Sequence, residues 1–517
     1  MKKAISLILI LCMLCPLLLA CDDVSVDGIV DLAANLQNKA VDTDGAYADT
    51  SAETEAESAD DKEDKPSQQQ KPSGTENNPS GIQKPDELTP ELPKVDFNGI
   101  ELVFAIGSDE SSIRDFAADG DFSSHISKQA YQRTQKLESA ANVKITYDML
   151  NDGRNAISAT VNSIMKYILA GETLHDVCVL PTYITSIIAT DGCLCNIKDN
   201  EFECLMLDTL DWNESIIDAS SAGDKAYMLV GDISASNYEK AIAMFYNTEL
   251  AQMMGIDLVG QVKDGSWTME NMLAYSKWAY IDADGDNTSS ENDIFGVTVS
   301  HLAFLEAFKS AFDTSFYRRN EEGNWQVELS SRMEYSLYDM ADLFVSGSLF
   351  NSDSAKQIFG DGRSLFAVGT VSDFEYYSSS MNSNFGILPL PKYDSTQEKY
   401  ATTAPTSDVI AFCFGHTVER IQASACVISI LQILSEDNTL EWVKEKYFRY
   451  VSSADDFDML EIIGENVVYE VDAVFESAIG TTLWLDVVKG NPLSSNFNMR
   501  KLSMQKQIDD LMKHLNV

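Results

Sequence analysis

The run Ile100-Glu101-Leu102-Val103-Phe104-Ala105-Ile106-Gly107 is apolar at nearly every position and ends in a polar loop at Ser108-Asp109. A strand covered on both faces reads this way, because neither side of its pleat turns to water. Outward from it, residues 127–141 place apolar side chains at helical spacing, and Val143-Lys144-Ile145-Thr146-Tyr147 returns to β-branched strand composition. A second helix follows over 156–170, then the apolar strand Asp176-Val177-Cys178-Val179-Leu180 and a turn at Pro181-Thr182-Tyr183. Strand, helix, strand, helix, strand predicts a parallel sheet with helices packed on it. The carboxyl ends of such strands open onto a crevice, so Ser108, Asp109, Thr182 and Tyr183 are candidate crevice residues. The stretches 226–234 and 241–247 predict two more strands.

The first twenty residues read differently. Lys2 and Lys3 precede an apolar run from Ile5 to Leu19, with no basic flank behind it. That pattern is an export signal, too short and wrongly flanked for a permanent span. The tetrad Leu18-Leu19-Ala20-Cys21 resembles the bacterial lipobox, in which the cysteine thiol takes a diacylglyceryl group and becomes the mature N-terminus. The resemblance implies cleavage of a lipoprotein signal peptide, residues 1–20, and a lipid anchor at Cys21 on the extracellular face of the cell membrane. Residues 21–95 form an acidic tether rich in Asp, Glu, Ser, Pro and Gln, as in Asp60-Asp61-Lys62-Glu63-Asp64 and Gln68-Gln69-Gln70. Such composition buries too little apolar surface to offset the entropy of ordering its backbone, so it predicts disorder.

The 422 residues that remain are enough for two lobes with separate cores. Formal net charge is −44; the stretch 22–95, with 18 acidic against 6 basic side chains, carries −12 of it, and about −34 falls on the body. An acidic body repels phosphate backbones, which excludes nucleic acid as a partner. Six cysteines lie in the body: Cys178, Cys193, Cys195, Cys204, Cys413 and Cys426. Export permits disulfides without requiring them. The grouping of Cys193, Cys195 and Cys204 has no histidine near it and falls short of a four-ligand metal set, so isolated buried thiols are expected.

No His-Glu-x-x-His, Gly-x-Ser-x-Gly or phosphate-loop pattern occurs, and the five histidines (His125, His175, His301, His416, His514) are scattered without ligand spacing. The chain is therefore expected not to be an enzyme. One loop is rich in hard ligands: Asp282, Asp284, Asp286, Thr288, Ser290 and Asp293 occupy positions 1, 3, 5, 7, 9 and 12 of a calcium-type loop. Calcium takes six to eight oxygens, and this spacing can surround one ion, with Thr288 offering its backbone carbonyl. Asn287 stands where the turn glycine is usual, and Asn tolerates positive φ. No cofactor is required by this reading. A structural Ca2+ is the expectation, with an Asp/Asn-rich turn as the alternative.

Several segments, in order, resemble family 1 extracellular solute-binding proteins, the receptors of carbohydrate-importing ATP-driven transporters. They are Asp176-Val177 closing a strand, Gly223 to Tyr227 ahead of a crossover, Phe245-Tyr246-Asn247-Thr248-Glu249-Leu250, and Trp267-Thr268-Met269-Glu270 at a helix start. Further on come the glycine turn and strand from Phe359 to Gly369, Phe385-Gly386-Ile387-Leu388-Pro389-Leu390-Pro391, and the helix from Gln422 to Leu434 followed by Ser435-Glu436-Asp437. The resemblance covers nearly all of 97–517. It implies an α/β, two-lobe periplasmic-binding-protein-like fold of type II, with 96–233 and 391–436 in lobe 1 and 234–390 and 437–517 in lobe 2. Crossings fall near Asp232, Pro389 and Glu436, and the ligand cleft lies between the lobes.

The implied ligand is a small solute, foremost an oligosaccharide, delivered by a monomeric receptor to the permease subunits of an ABC transporter. Sugars are gripped by aromatic faces and by carboxylates or amides. Tyr183, Trp267, Tyr376, Tyr377 and Trp484 are the candidate faces, and Asp109, Asp232, Asn237 and Asp408 the candidate polar partners. Where some sugar receptors of the family carry Gly-Pro-Trp, this chain has Gly369-Thr370-Val371. The competing readings are a surface receptor or sensor for peptides or another solute, and a glycan-cleaving enzyme.

Overall fold

Strand β1 (Ile100–Gly107) runs parallel to β2 (Val143–Leu150) over its full length, Ile100 opposite Val143 and Gly107 opposite Leu150. On its other side it runs parallel to β3 (Val177–Pro181), with Phe104 opposite Val177. The helix His125–Ala141 makes the β1 to β2 crossover. Ser124 caps its first turn through the Ser127 amide, and Asn142 ends it at φ 50°, a left-handed conformation that Asn adopts at little cost. The helix Ile157–Ala170 makes the next crossover. Leu102, Phe104, Ala105 and Ile106 are all buried, so both faces of β1 are covered, as its composition requires.

The computed structural model describes residues 92–516 except 121, 123, 382, 437, 452 and 477. The signal peptide, most of the tether and the Cys21 lipid anchor lie outside the described residues. Two larger sheets organise the rest. The first has the order β11-β3-β1-β2, where β11 (Asp408–Phe412) lies antiparallel to β3 with Asp408 opposite Pro181. The second has the order β10-β4-β9-β5-β8, from β4 (Ile242–Asn247), β5 (Phe295–Val299), β8 (Leu349–Asn351), β9 (Ser364–Thr370) and β10 (Phe385–Leu388). In it β5 is parallel to β8 and β9, while β4 is antiparallel to β9 and β10. A small hairpin, β6 (Tyr317–Arg319) and β7 (Trp325–Val327), stands apart.

The chain passes from the first sheet to the second between β3 and β4, and returns between β10 and β11. It leaves again after the helix Val418–Ser435, so that the later helix Asp455–Glu465 packs on β10. This is the two-lobe α/β arrangement expected.

Two details differ from expectation. The 226–234 stretch forms no full strand. It touches β11 through a single antiparallel bridge, Leu229 with Ile410, and at once turns its Val230 carbonyl to the Asn213 amide at 2.9 Å. The cysteines are not all isolated: Cys204, in the short 3-10 turn Asn200–Leu205, is disulfide-bonded to Cys426 in the helix Val418–Ser435. Cys178, Cys193, Cys195 and Cys413 remain buried thiols. That same helix is apolar enough by length and composition to span a bilayer, yet it is 67% buried inside the body and serves as a core helix.

Candidate functional site

The carboxyl ends of β1, β2 and β3 and the amino end of β11 meet at one edge of the first sheet, because β11 alone runs the other way. That edge gathers Ser108 and Asp109, Asn151 and Asp152, Thr182 and Tyr183, and Asp408.

Asp109 caps the helix Glu110–Phe116. Its Oδ1 accepts from the Ser111 amide at 2.8 Å and the Ser112 amide at 3.1 Å, and its Oδ2 from the Ser112 hydroxyl at 2.6 Å. Burial alone would raise its pKa. Hydrogen bonds from Asp152, Ser111 and Ser112 override burial and hold the Asp109 carboxyl well below the usual carboxylate range. Asp152 goes the other way: burial, then the hydrogen bond and charge of Asp109, push it up to about 7. Below about pH 7 Asp109 is the anion and Asp152 holds the proton, as two close carboxyl groups must arrange. Gly107 makes this approach possible. A Cβ there would stand 2.4 Å from Asp152 Oδ2 and 2.8 Å from the Ser112 hydroxyl.

Asp408 is the most enclosed member, 3% exposed. Its backbone is clamped by Asn237, which accepts from the Asp408 amide and donates to its carbonyl, both at 2.9 Å. Its Oδ2 accepts from Lys240 Nζ at 2.9 Å and from the Ser112 and Ser236 hydroxyls at 3.3 and 3.4 Å. Its Oδ1 accepts from nothing. Burial raises the Asp408 pKa, and the charges of Asp109 and Asp115 add to that, while Lys240 opposes it.

Tyr183 closes the far side. Its hydroxyl donates to the Asp152 carbonyl at 2.5 Å, and the Arg154 guanidinium lies 4.3 Å from its ring centre. Arg154 in turn pairs with Glu476 at 2.6 Å, joining this edge to the last part of the chain. Behind the cluster, Arg114 bridges Asp115 and Glu239, each at 2.8 Å, and Lys446 joins Glu239 at 2.7 Å to Glu375 at 3.0 Å. These pairs fix the crossing segment 234–241 against helices of both lobes.

Asp109, Tyr183 and Asp408 thus come together, with Ser108 and Thr182 on the same edge and Asn237 holding Asp408 in place. Asp232 faces elsewhere. It accepts from the Tyr238 hydroxyl at 2.6 Å and lines, with Asn237, Tyr400 and Tyr469, a cavity of about 550 Å³. Three expected aromatic faces are core residues instead. Trp267 is 0% exposed, with its indole donating to the Pro389 carbonyl at 3.0 Å. Tyr377 is buried against Phe245 and Phe359, and Trp484 is buried as well. None of the three has a free face for a ligand. Tyr376, 40% exposed with Lys356 Nζ 5.9 Å from its ring centre, is the one that keeps its surface.

Sequence reasoning missed Asp152, Arg154, Ser112, Ser236 and Lys240. The signal for Asp152 was the one that found Asp109, a polar loop directly after a strand. Lys240, next to Glu239, stands directly before the apolar run from Ala241 to Phe245, where a charge needs a fixed partner.

At the calcium-type loop, carboxylate oxygens of Asp282, Asp284 and Asp293 lie within 4.8 Å of one another. Asn287 has φ 61°, the left-handed turn its position needs, and Ile281 pairs with Ile294 to close the loop. Asp293 is fully buried and accepts from the Ala283 and Ser290 amides, each at 3.0 Å. Asp286 accepts from the Thr288 amide at 2.7 Å, and the Ser290 hydroxyl donates to Asp284 at 3.4 Å. The all-oxygen donor set fits a hard cation.

No family model matches the sequence, and no curated protein matches it either. The structure does match solved ones. A cyclic α-maltosyl-1,6-maltose binding protein from Arthrobacter globiformis aligns over 81% of this chain and 98% of its own, with 14% identity and a TM-score of 0.52. The galacto-N-biose/lacto-N-biose I-binding protein of an ABC transporter from Bifidobacterium longum, solved with lacto-N-biose, aligns over 81% and 98%, with 10% identity and a TM-score of 0.51. An uncharacterized protein of Listeria monocytogenes EGD-e aligns over 79% and 99%, with 13% identity and a TM-score of 0.53. The fold is therefore the two-lobe, periplasmic-binding-protein-like one. At this identity the likeness is one of fold.

Proposed function

We propose that this chain is an extracellular solute-binding protein that captures a small solute, foremost an oligosaccharide, and delivers it to the permease of an ABC transporter. The observation that carries the reading is the Asp109, Asp152 and Asp408 cluster at the strand ends, the crevice where open α/β sheets hold their ligands. Two of the structural neighbours bind oligosaccharides by name, which supports the solute class. Cys21 anchors the receptor by lipid, and the tether lets it reach the permease.

Thermal melting of the purified chain against a panel of saccharides tests the reading. A ligand that binds only the folded state raises the midpoint, by about 2.7 kcal/mol of stability at a hundredfold excess over Kd. A broad panel of mono- and oligosaccharides with no shift, alongside peptides that give one, would overturn the sugar assignment. Calcium at Asp282, Asp284 and Asp293 belongs to the same proposal as a structural ion. Added Ca2+ is expected to raise the melting point and Asp293→Asn to abolish that rise; no response to millimolar Ca2+ would leave these residues as a turn.

A further inference from the structure

We infer that the cavity of about 550 Å³ beside the chain crossings is a second ligand site, separate from the strand-end edge, and that it takes a small amine with an apolar stem. The inference does not rest on the saccharide reading. The cavity is of the size that holds small molecules, and its wall is assembled from distant parts of the chain. Asp211 and Val230 come from the part that builds the first sheet. Leu440 and the end of the helix Asp455–Glu465 come from the part that builds the second, and Asn237 and Tyr400 from the segments that cross between them. Hydrogen bonds fix this wall. Gln432, buried in the core helix, donates to the Asp211 carbonyl at 3.2 Å and accepts from the Asp232 amide at 2.9 Å. Asn213 donates to the Val467 carbonyl at 2.7 Å, and the Tyr469 amide donates to the Ser215 hydroxyl at 2.8 Å, so the two parts are bonded to each other here.

The lining decides the chemistry. Asp211, Asp232, Glu398 and Glu465 line the cavity, against Lys399 as its one cation among the described residues. The Tyr238 hydroxyl donates to Asp232 at 2.6 Å. Burial, and then the charges of Asp232, Asp211 and Glu465, hold that phenol well above its usual range, so three carboxylates bear on one spot. The helix Asp455–Glu465 brings its C-terminal end to the same wall through Ile462, Gly464 and Glu465, with no basic side chain in its last turn. That end carries partial negative charge and favours a cation. Tyr400 and Tyr469 spend their hydroxyls on the Val262 carbonyl at 3.1 Å and the Ser407 hydroxyl at 2.6 Å. What they have left is ring surface, which attracts ammonium and, with Val230, Leu440 and Val467, suits a methylene chain. An anion would be repelled here, and a neutral solute would leave the carboxylate charge unanswered.

The test is calorimetric titration of the full chain at pH 7.5 in physiological salt, which screens unspecific attraction to the acidic surface. The probes are hexane-1,6-diamine, the neutral hexane-1,6-diol of the same skeleton, and maltotriose. The diamine is expected to bind at one site, at least tenfold more tightly than the diol. Asp211→Asn together with Glu465→Gln, two exposed positions, is expected to weaken the diamine at least tenfold, with the fold checked by a melting curve. Glu465→Gln alone, expected to weaken it in part, serves if the pair does not fold. Glu172→Gln with Asp353→Asn removes the same charge from exposed positions outside the cavity and is expected to change nothing. A diamine that binds no better than the diol, or that weakens equally in both double variants, would overturn the inference. Maltotriose binding lost with Asp211 and Glu465 would give the cavity to the saccharide and overturn the amine assignment. None of these outcomes touches the strand-end edge, whose Asp109, Asp152 and Asp408 do not line this cavity.

Discussion

At the scale of single residues, Asp152 makes the site sensitive to pH. Its ordinary value is 3.8 and its value in the fold is pushed up to about 7 by burial and by Asp109. Between those values the folded protein holds a proton that the unfolded chain has released. Stability contributed by Asp152 is therefore present at the acid end of the window and is lost as pH rises through about 7. Asp152→Asn removes this dependence. Discounted for its partial solvent contact, the difference amounts to about 1 to 2 kcal/mol. Melting midpoints taken from pH 5 to pH 8 are expected to fall for the native chain relative to the variant, and parallel curves would refute the shared proton.

The residue scale also shows what the sequence could and could not mark. Ser108, Asp109, Thr182 and Tyr183 were legible, because a polar pair after a buried strand has to emerge at a sheet edge. Asp408 carried a hydrogen-bonding side chain but no clue that its strand runs backward into the same edge. Trp267 and Trp484 were misplaced for a related reason. An indole can stack on a ligand or fill a core, and only the surrounding side chains decide which.

Among the elements, the parallel core of the first sheet was legible because its period and composition are local properties. The closure of that sheet by β11, more than 200 residues after β3, was not, since no local pattern names a distant partner. The disulfide illustrates the same limit. Cys204 and Cys426 are separated by 222 residues, and nothing in their spacing chooses them over the four other body thiols. Once formed, the bond ties the turn Asn200–Leu205 to the core helix and restricts the unfolded chain over a long loop. Cys204→Ser is expected to cost about 2 to 4 kcal/mol, read as a lower denaturation midpoint with solute affinity unchanged. A variant as stable as the native chain would mean that the core packing of that helix holds the turn without the bond.

For the whole molecule, the decisive relation is between the binding body and what precedes it. The body has its own sheets, cores and candidate site within residues 92–516. Under the proposal the acidic stretch 22–95 serves as the tether, and its described end joins the body, where Leu92 and Val95 pack against the core of the first sheet. Anchoring and recognition are therefore separable functions under the proposal. Cys21→Ala removes the thiol that takes the lipid and is expected to release the protein into the medium. The released protein should bind its saccharide with the affinity of the anchored form, measured by the same titration. Protein that stays with the membrane fraction would refute the lipid anchor. Protein that is released but binds more weakly would show that the tether or its lipid takes part in the site.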